Sequence, residues 1–465
     1  MLTRDYHGMG DSMKLHTNGF HLAGYAFLLQ KFQITGMHHW HTSSVLVSGT
    51  RKTRKRNGII EDMYSPRYWP GDTVADHFEF ALKYDGVNLE ILSVLFERVS
   101  ESELAQFIRD KPTGRYSRRL WFFYEYITGR RLPIEDCITG NYVDALDGDF
   151  YYTLPKGERS RRHRVVNNLL GVPRYCPIVR KTRVLGAFAT LQLQKRSFDM
   201  LTSFSPEIVE RTSMTLIERE VAAVHAQDRY PLSPESLDRF LELLRESESW
   251  RALSLSLLQE LHKKVTGRED ACSEDQRGVL EAMMETHERL STLAVAPVVH
   301  AAVIASGFLI ISPFSSANTM VHRMLLHHIL ALRQLIHSPI VLPIYSDEQE
   351  SAQRMELRTY RFMDLTEVTE HLAIRISSAF DDVLLQELNA LTRYERVKDQ
   401  LVHIIKMPDR LVDLFIDTCI RNEGVIPQDV KMDSFNFLTP AELSRMEQTV
   451  QSIYEKPVSL DSIPT

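Results

Sequence analysis

Apolar residues recur at helical spacing along most of the chain, while the N-terminal segment mixes strand and helix patterns. From about residue 205 onward the apolar positions follow a period near 3.6, which is typical of amphipathic helices. Start signals accompany this pattern. Ser205 precedes a proline at a first helical position, and Ser273 with Gln276 fits the capping box. The pattern therefore predicts a mainly α protein.

The N-terminal segment departs from this helical pattern. The stretch SSVLVSGTRKTRKRNGIIEDMYS alternates as two strands around Asn57-Gly58, a pair that favours a tight hairpin turn. The stretches that follow have helical spacing again, and the helix in RYSRRLWFFYEYITGRRLP is predicted to end at Gly129. These signals predict a small α/β domain ahead of the helical part.

Three regions follow from these patterns. Pro155, Gly157 and a basic run mark a boundary within residues 153–165. We therefore predict an α/β N-terminal domain over 1–160, a helical core over 161–390, and a C-terminal helical module, winged-helix-like in pattern, over 391–465.

One apolar stretch, Val295 to Phe314, is about as long as a membrane span. Pro297, His300 and the absence of basic flanks favour a buried central helix instead. The first residues contain no apolar segment typical of a signal peptide. The four cysteines stand far apart, with no CxxC pair, which fits a reducing compartment. We expect a cytoplasmic protein that does not insert into a membrane.

Charge is distributed unevenly over the 465 residues, whose net charge is −6. Residues 1–190 hold 27 Lys/Arg against 20 Asp/Glu, and the remainder holds 28 against 41. Two basic runs lie in the first part, Arg51 to Gly58 and Arg159 to Arg164. Such runs either follow a phosphate backbone or form a solvated face, and the sequence leaves both interpretations open.

The stretch ISPFSSANTMVHRMLLHHIL, Ile311 to Leu330, joins a turn of small residues to a strongly apolar helix, predicted from Asn318 to His337. It resembles the signature loop of the Fic (Fido-fold) family, HPFxDGNGRxxR, whose members transfer AMP from ATP to a protein hydroxyl. The stretches GRYSRRLWFFYEYITGRRLP, RRHRVVNNLLGVPRYCPIVRKT and VVHAAVIASGFLIISPF also resemble segments of large bacterial Fic proteins. The resemblance implies a Fido helical core.

The residues that carry chemistry in that loop are replaced in this chain. Ser312 stands at the position of the general-base histidine, Ser316 at the metal-binding acidic position, and Met320 at the first arginine, which clamps phosphate charge. Ala317 and Thr319 stand at the glycine positions, where we expect a β-branched threonine to resist a positive φ. No catalytic residue is expected, and no cofactor beyond weak binding of Mg-ATP.

Some features of the loop are retained. Asn318 and Arg323 match the signature and are candidates for a residual anion or nucleotide site. The resemblance also implies a counterpart of the family's self-inhibitory glutamate, which aligns with Asp228 and would face Arg323. Alternatively, Ser312, Ser315 and Ser316 merely cap the helix that begins near Asn318.

The β-hairpin flap that orients the target in active Fic proteins has no room here. Only about ten residues separate Gly267 from the next helical run, so the segment up to Gly278 is too short for it. Positioning of the target is a separate contribution to catalysis, so its loss points away from activity independently of the loop.

The resemblance with these losses predicts a pseudoenzyme that acts through protein–protein interaction, with an active Fic relative, a toxin-like protein or a second copy as partner. Two alternatives stay open: a nucleotide-dependent transferase with altered chemistry, and a regulator that binds nucleic acid through the basic N-terminal half. The histidines of Met37 to His41 and of His322, His327 and His328 lack the spacing of a helical zinc site, so no metal is expected.

Overall fold

Helices dominate the structure, a computed structural model that describes residues 19–56, 58–227, 234–250, 252–337, 340–344 and 360–454. Two small sheets lie between Phe20 and Asn167, so the predicted mainly α class with an α/β beginning is confirmed. The strands are β1 (Phe20–Ala23), β2 (His41–Leu46), β3 (Lys52–Arg56), β4 (Ile59–Tyr64), β5 (Val143–Asp144), β6 (Glu158–Ser160) and β7 (Val165–Asn167).

The first sheet has the order β1-β2-β4-β3, which leaves β3 at an edge. β3 and β4 pair antiparallel with Arg56 opposite Ile59, which confirms the hairpin predicted at this point. Gly58 has the positive φ of 83° that such a turn requires, and Asn57 lies outside the described residues. β4 also pairs in parallel with β2, a register that the local pattern did not predict.

Helices of the N-terminal part pack around a core that includes Phe78, Leu92 and Trp121. The helix predicted before Gly129 is α5, and Gly129 adopts the left-handed conformation at its end. The helices are α1 (Gly24–Lys31), α2 (Val74–Phe80, continued by a π-helical turn Ala81–Asp85), α3 (Leu89–Phe96), α4 (Glu101–Asp110) and α5 (Arg115–Thr128).

The central helices surround a larger apolar cluster. Their predicted start signals are present: α8 begins at Pro206, and Ser273 and Gln276 form both bonds of the capping box. The helices are α6 (Arg183–Thr190), α7 (Leu193–Ser203), α8 (Pro206–Gln227), α9 (Pro234–Glu246), α10 (Leu255–Thr266), α11 (Glu274–Ser291), α12 (Pro297–Ala301), α13 (Gly307–Ile311), α14 (Asn318–Leu332) and α15 (Thr366–Ser378).

The apolar stretch from Val295 to Phe314 is a buried helix in the centre of this cluster. α12, a π-helical turn over Ala302–Ser306 and α13 follow one another directly, and the residues from Val298 to Ile311 are all buried. None of the helices in the described ranges combines the length and apolar character that crossing a membrane requires. The helix predicted to run from Asn318 to His337 ends earlier, at Leu332.

The C-terminal part has an apolar cluster of its own, formed by residues between Val397 and Val450. The N-terminal cluster extends from Tyr25 to Ile178 and also takes in Phe362. The predicted domain limits stay predictions. From residue 385 the described residues form no strand; a π-helical turn (Ala379–Leu384) leads into α16 (Leu385–Ile404), α17 (Asp409–Arg421), α18 (Gln428–Ser434) and α19 (Pro440–Tyr454).

Candidate functional site

The signature-like loop joins α13 to α14 at the centre of the helical core. Two residues without glycine's freedom bracket it in the left-handed region, Ser312 with φ 46° and Ala317 with φ 55°. The expectation that Thr319 would need a positive φ was wrong, because Thr319 already lies in the first turn of α14 and is buried. The turn is therefore made without glycine, at the steric cost that a left-handed non-glycine residue carries.

The loop is closed by Asn318 rather than capped by its serines. The N–H of Phe314 donates to Asn318 Oδ1 at 3.1 Å, and Asn318 Nδ2 donates to the carbonyl of Phe314 at 2.6 Å. The N-cap of α14 is Ala317, and no side chain caps the helix, so the prediction that Ser312, Ser315 and Ser316 cap it was wrong. The amide of Asn318 is thus engaged in holding the loop.

Two side chains from α10 and the connector after it hold the loop from outside. The N–H of Ser315 donates to Asp270 Oδ2 at 2.6 Å. His262 packs its ring on Phe314, with centroids 4.4 Å apart, and its Nε2 lies 3.2 Å from the carbonyl of Ser316. Bonds from the hydroxyl and N–H of Ser315 lower the pKa of Asp270, while burial lowers the pKa of His262. A neutral His262 therefore donates to Ser316, and a carboxylate of the chain covers a loop N–H that an anionic ligand would otherwise use.

The three positions whose signature residues are replaced differ in exposure. Ser312 is exposed, Ser316 is half-buried, and Met320 is fully buried in the central apolar cluster. A serine hydroxyl is a very weak base, so position 312 offers no proton acceptor near neutral pH. The buried thioether of Met320 supplies neither charge nor hydrogen-bond donors toward the loop.

Arg323, the retained arginine, is directed into the core. Its Nη1 lies 3.0 Å from Glu220 Oε1 on α8, and both side chains are 0% exposed. Asp228, the sequence-based candidate for this partnership, lies outside the described residues. The carboxylate that faces Arg323 in the described chain is therefore one that the alignment did not select, two helical turns earlier on α8.

The histidines of α14 serve the packing around this pair. His322 Nδ1 lies 2.9 Å from the carbonyl of Ala305, and His328 Nδ1 lies 2.8 Å from that of Ser247. Burial, with the nearby Arg323, lowers the pKa of His327 to about 3. Among the described residues, no group of three or more side chains is arranged to hold a metal ion.

The connector that lacks room for a flap is short and irregular. α10 ends at Thr266 with Gly267 in the left-handed conformation, and α11 begins at Glu274. The residues between them are all described and contain no strand. The connector instead contributes Asp270 to the loop. No local sequence signal indicates this contact, because neither Asp270 nor His262 belongs to a motif.

A second polar cluster lies inside the N-terminal sheet. His41, a member of the histidine-rich stretch, sits between two carboxylates, with Nε2 3.1 Å from Asp62 and Nδ1 3.3 Å from Asp85. Burial disfavours a charged imidazole, but hydrogen bonds to both carboxylates outweigh it and raise the pKa of His41. Burial opposes ionisation of Asp62 as well, yet bonds from Thr53, Arg51 and His41 lower its pKa to about 2.

The histidines of this cluster are hydrogen-bonded to groups of the protein itself. His39 Nε2 lies 2.9 Å from the carbonyl of Asp85, and burial lowers the pKa of His39 to about 4. Ser43 donates to Asp85, and the N–H of Tyr25 donates to the same carboxylate at 2.9 Å. The cluster thus joins β2, β4 and the π-helical turn by buried charge.

No family model matches the chain, and no curated protein matches its sequence. The Fic resemblance therefore rests on the loop and on the other stretches quoted above alone.

Proposed function

We propose that this protein is a non-catalytic relative of Fic proteins that acts in the cytoplasm by binding a protein partner and does not transfer AMP. The observation that supports this most directly is the buried pair of Arg323 and Glu220. An arginine that binds a nucleotide must present its guanidinium to the ligand, whereas this one is 0% exposed and faces a carboxylate inside the core.

The loop geometry supports the same proposal. Asp270 and His262 occupy the Ser315 N–H and the Ser316 carbonyl, and Asn318 is bonded to Phe314. A bound phosphate would have to displace these internal bonds before gaining its own. Loss of a general base typically lowers a rate by about 10²–10⁴, and loss of a transition-state arginine by about 10³–10⁵.

Placement in the cytoplasm rests on the cysteines. Cys137, Cys176, Cys272 and Cys419 are all free thiols, which fits a reducing compartment. The partner class is that implied by the resemblance, an active Fic relative or a toxin-like protein, with self-association as the other outcome.

The first experiment incubates the full-length protein with α-labelled ATP and Mg²⁺ or Mn²⁺, alone and with lysate. We expect no labelling above a heat-denatured sample, while an active AMP-transferring enzyme assayed in parallel labels its target. Time-dependent labelling would refute the proposal and favour a transferase with altered chemistry.

Calorimetry with Mg-ATP tests the nucleotide site separately. We expect a dissociation constant no tighter than roughly millimolar, about −4 kcal/mol, because helix N–H groups alone would meet the triphosphate. Micromolar affinity would contradict the proposal. Co-purification from the native host, with mass spectrometry and light scattering, then separates a distinct partner from a second copy of the chain.

A further inference from the structure

The edge strand β3 carries an unusual concentration of cations. All five of its residues, from Lys52 to Arg56, are exposed, and four of them are Lys or Arg. β3 is the last strand of the order β1-β2-β4-β3, so its outer backbone edge has no neighbouring strand in the described chain. Arg51, which precedes it, adds a fifth cation.

Little of this charge is neutralised within the protein. Arg51 binds Asp62 at 2.6 Å, but that carboxylate also faces His41. Within the described ranges, none of the other four cations forms an ion pair. The carboxylate nearest in register is Glu61, opposite Arg54. The edge is therefore a concentrated positive surface.

Aromatic rings extend this surface beyond the strand. The Arg51 guanidinium lies 4.8 Å from the centre of the Tyr64 ring, which contacts Tyr68 and Tyr84 at 5.4 and 5.2 Å. Further cations stand over two of these rings: Arg67 lies 5.1 Å from Tyr68, and Lys83 lies 4.9 Å from Tyr84. Tyr64 is buried and Tyr68 and Tyr84 are half-buried, so these cations and rings lie together on the face of the sheet that carries Arg51 and Asp62.

We propose that β3 and this adjoining surface bind the sugar–phosphate backbone of single-stranded nucleic acid, without base specificity. Same-face cations on a strand are spaced about 7 Å apart, so Lys52, Arg54 and Arg56 form a straight row that an extended strand can follow. Side chains alternate along a strand, so this row lies on the face opposite Arg51 and Thr53. A nucleic-acid strand that curls around the edge also reaches the half-buried Tyr68 and Tyr84, and aromatic rings are the second element that single-strand binding surfaces use.

The shape of the edge favours this ligand over other anions. A peptide that adds to a sheet edge gains specificity from pockets for alternate side chains, and β3 offers only polar side chains on both faces. Binding to an anionic membrane is strengthened by inserted apolar residues, and the only large apolar side chains exposed near the described sheet are Val47 and Trp69. Edge cations also prevent strand pairing, but the cations over Tyr68 and Tyr84 lie off the edge and do not serve that purpose.

The test is fluorescence anisotropy of full-length protein with a labelled 20-nucleotide DNA strand, the same RNA strand and a duplex, from 50 to 300 mM salt. The variant is Lys52→Glu/Arg54→Glu/Lys55→Glu. The matched control reverses three exposed cations elsewhere: Lys156→Glu/Arg183→Glu/Lys195→Glu. A neutral variant, Lys52→Gln/Arg54→Gln/Lys55→Gln, checks the result without reversed charge, and circular dichroism confirms that each variant folds.

We expect the single strands to bind at least as tightly as the duplex. The edge variant should lose at least tenfold in affinity at 50 mM salt, and the control should lose less than threefold. The salt slope of log K should fall by about two, since each phosphate contact on a single strand contributes about 0.7. Absence of binding by the native protein, equal losses in edge and control variants, or preference for the duplex would overturn the proposal. So would full competition by polyglutamate or by phosphatidylserine vesicles at equal charge.

Discussion

The signature-like loop and the β3 edge use charge in opposite ways. Around the loop two charged groups face other groups of the chain: Arg323 faces Glu220, and Asp270 accepts from Ser315. Along β3 the cations face solvent. In the segment that resembles a reactive site, the charged groups are paired within the protein. In the edge strand β3, the cations are exposed to solvent.

The difference shows that a likeness to a reactive motif does not by itself indicate a reactive site. Phe314 and Asn318 close the turn by packing and by hydrogen bonds, and these contacts need no catalysis.

The largest effect should come from opening the buried pair. Arg323→Met leaves Glu220 as a buried charge without this cation, so we expect a loss of about 3–5 kcal/mol in the free energy of unfolding. The double variant Glu220→Leu/Arg323→Met should be much less destabilised than the sum of the single changes. Denaturant unfolding of the four proteins gives this coupling energy.

An exposed ion pair is the control for that cycle. The side chains of Lys263 and Glu269 are 57% and 80% exposed. Exposed ion pairs contribute little to stability, so Lys263→Met should leave the unfolding transition unchanged. If Arg323→Met were equally neutral, the Arg323 guanidinium would not stabilise the fold, and the proposed contrast with the exposed cations of β3 would fail.

The His41 cluster, directly beneath β3, should have a smaller effect that depends on pH. His41→Asn removes one member of a buried hydrogen-bonded set and should cost about 1–3 kcal/mol at pH 6. Because the folded pKa of His41 is raised, its contribution is complete below the ordinary value near 6.5 and is lost as the pH rises through the folded pKa. Asp62 stays ionised throughout this range, since its pKa is about 2.

Melting temperatures of the native protein and of His41→Asn, measured from pH 5.5 to 9.5, check this prediction. Their difference should shrink toward alkaline pH. Ser43→Ala removes a bond to Asp85 from the same cluster but no group that titrates in this range, so its difference should stay constant. A His41→Asn difference that grows with pH would show that the imidazole is neutral in the fold.

The two basic runs show what the sequence predicts and where it stops. Both are rich in cations, yet Arg162 is only 12% exposed and binds Glu125 and Asp136, whereas every residue of β3 is exposed. Arg164 donates to the carbonyls of Cys137 and Ile138. The local sequence pattern predicts the hairpin. Which basic run is paired with groups of the protein, and which stays exposed, depends on tertiary contacts.

The same limit applies to the candidate site. Capping and periodicity predicted α8, α11 and the helical class, because these signals are local. Asp228, the carboxylate predicted to face Arg323, lies outside the described residues, so that pairing stays a prediction. Glu220 was overlooked, because helix-to-helix contacts across a hundred residues leave no local signal. Asp270 and His262 were missed for the same reason.

The smallest effect should come from Asp270, the outermost contact of the loop. The lowered pKa of Asp270 means that its contribution is present above the ordinary value near 3.9 and is lost as the pH falls below it. The carboxylate is half-exposed, so Asp270→Asn should change stability by less than about 1 kcal/mol. Its effect should appear locally, as faster hydrogen exchange at pH 7 in peptides covering residues 312–320, because Ser315 N–H loses a charge-assisted bond. Exchange at the far end of α14 should be unchanged.

If exchange in 312–320 stays at its native rate, the loop is held by Asn318 and His262 alone. If the variant gains micromolar affinity for Mg-ATP, Asp270 alone keeps anions out of the loop. The loop and the β3 edge would then differ in anion binding only through this one carboxylate.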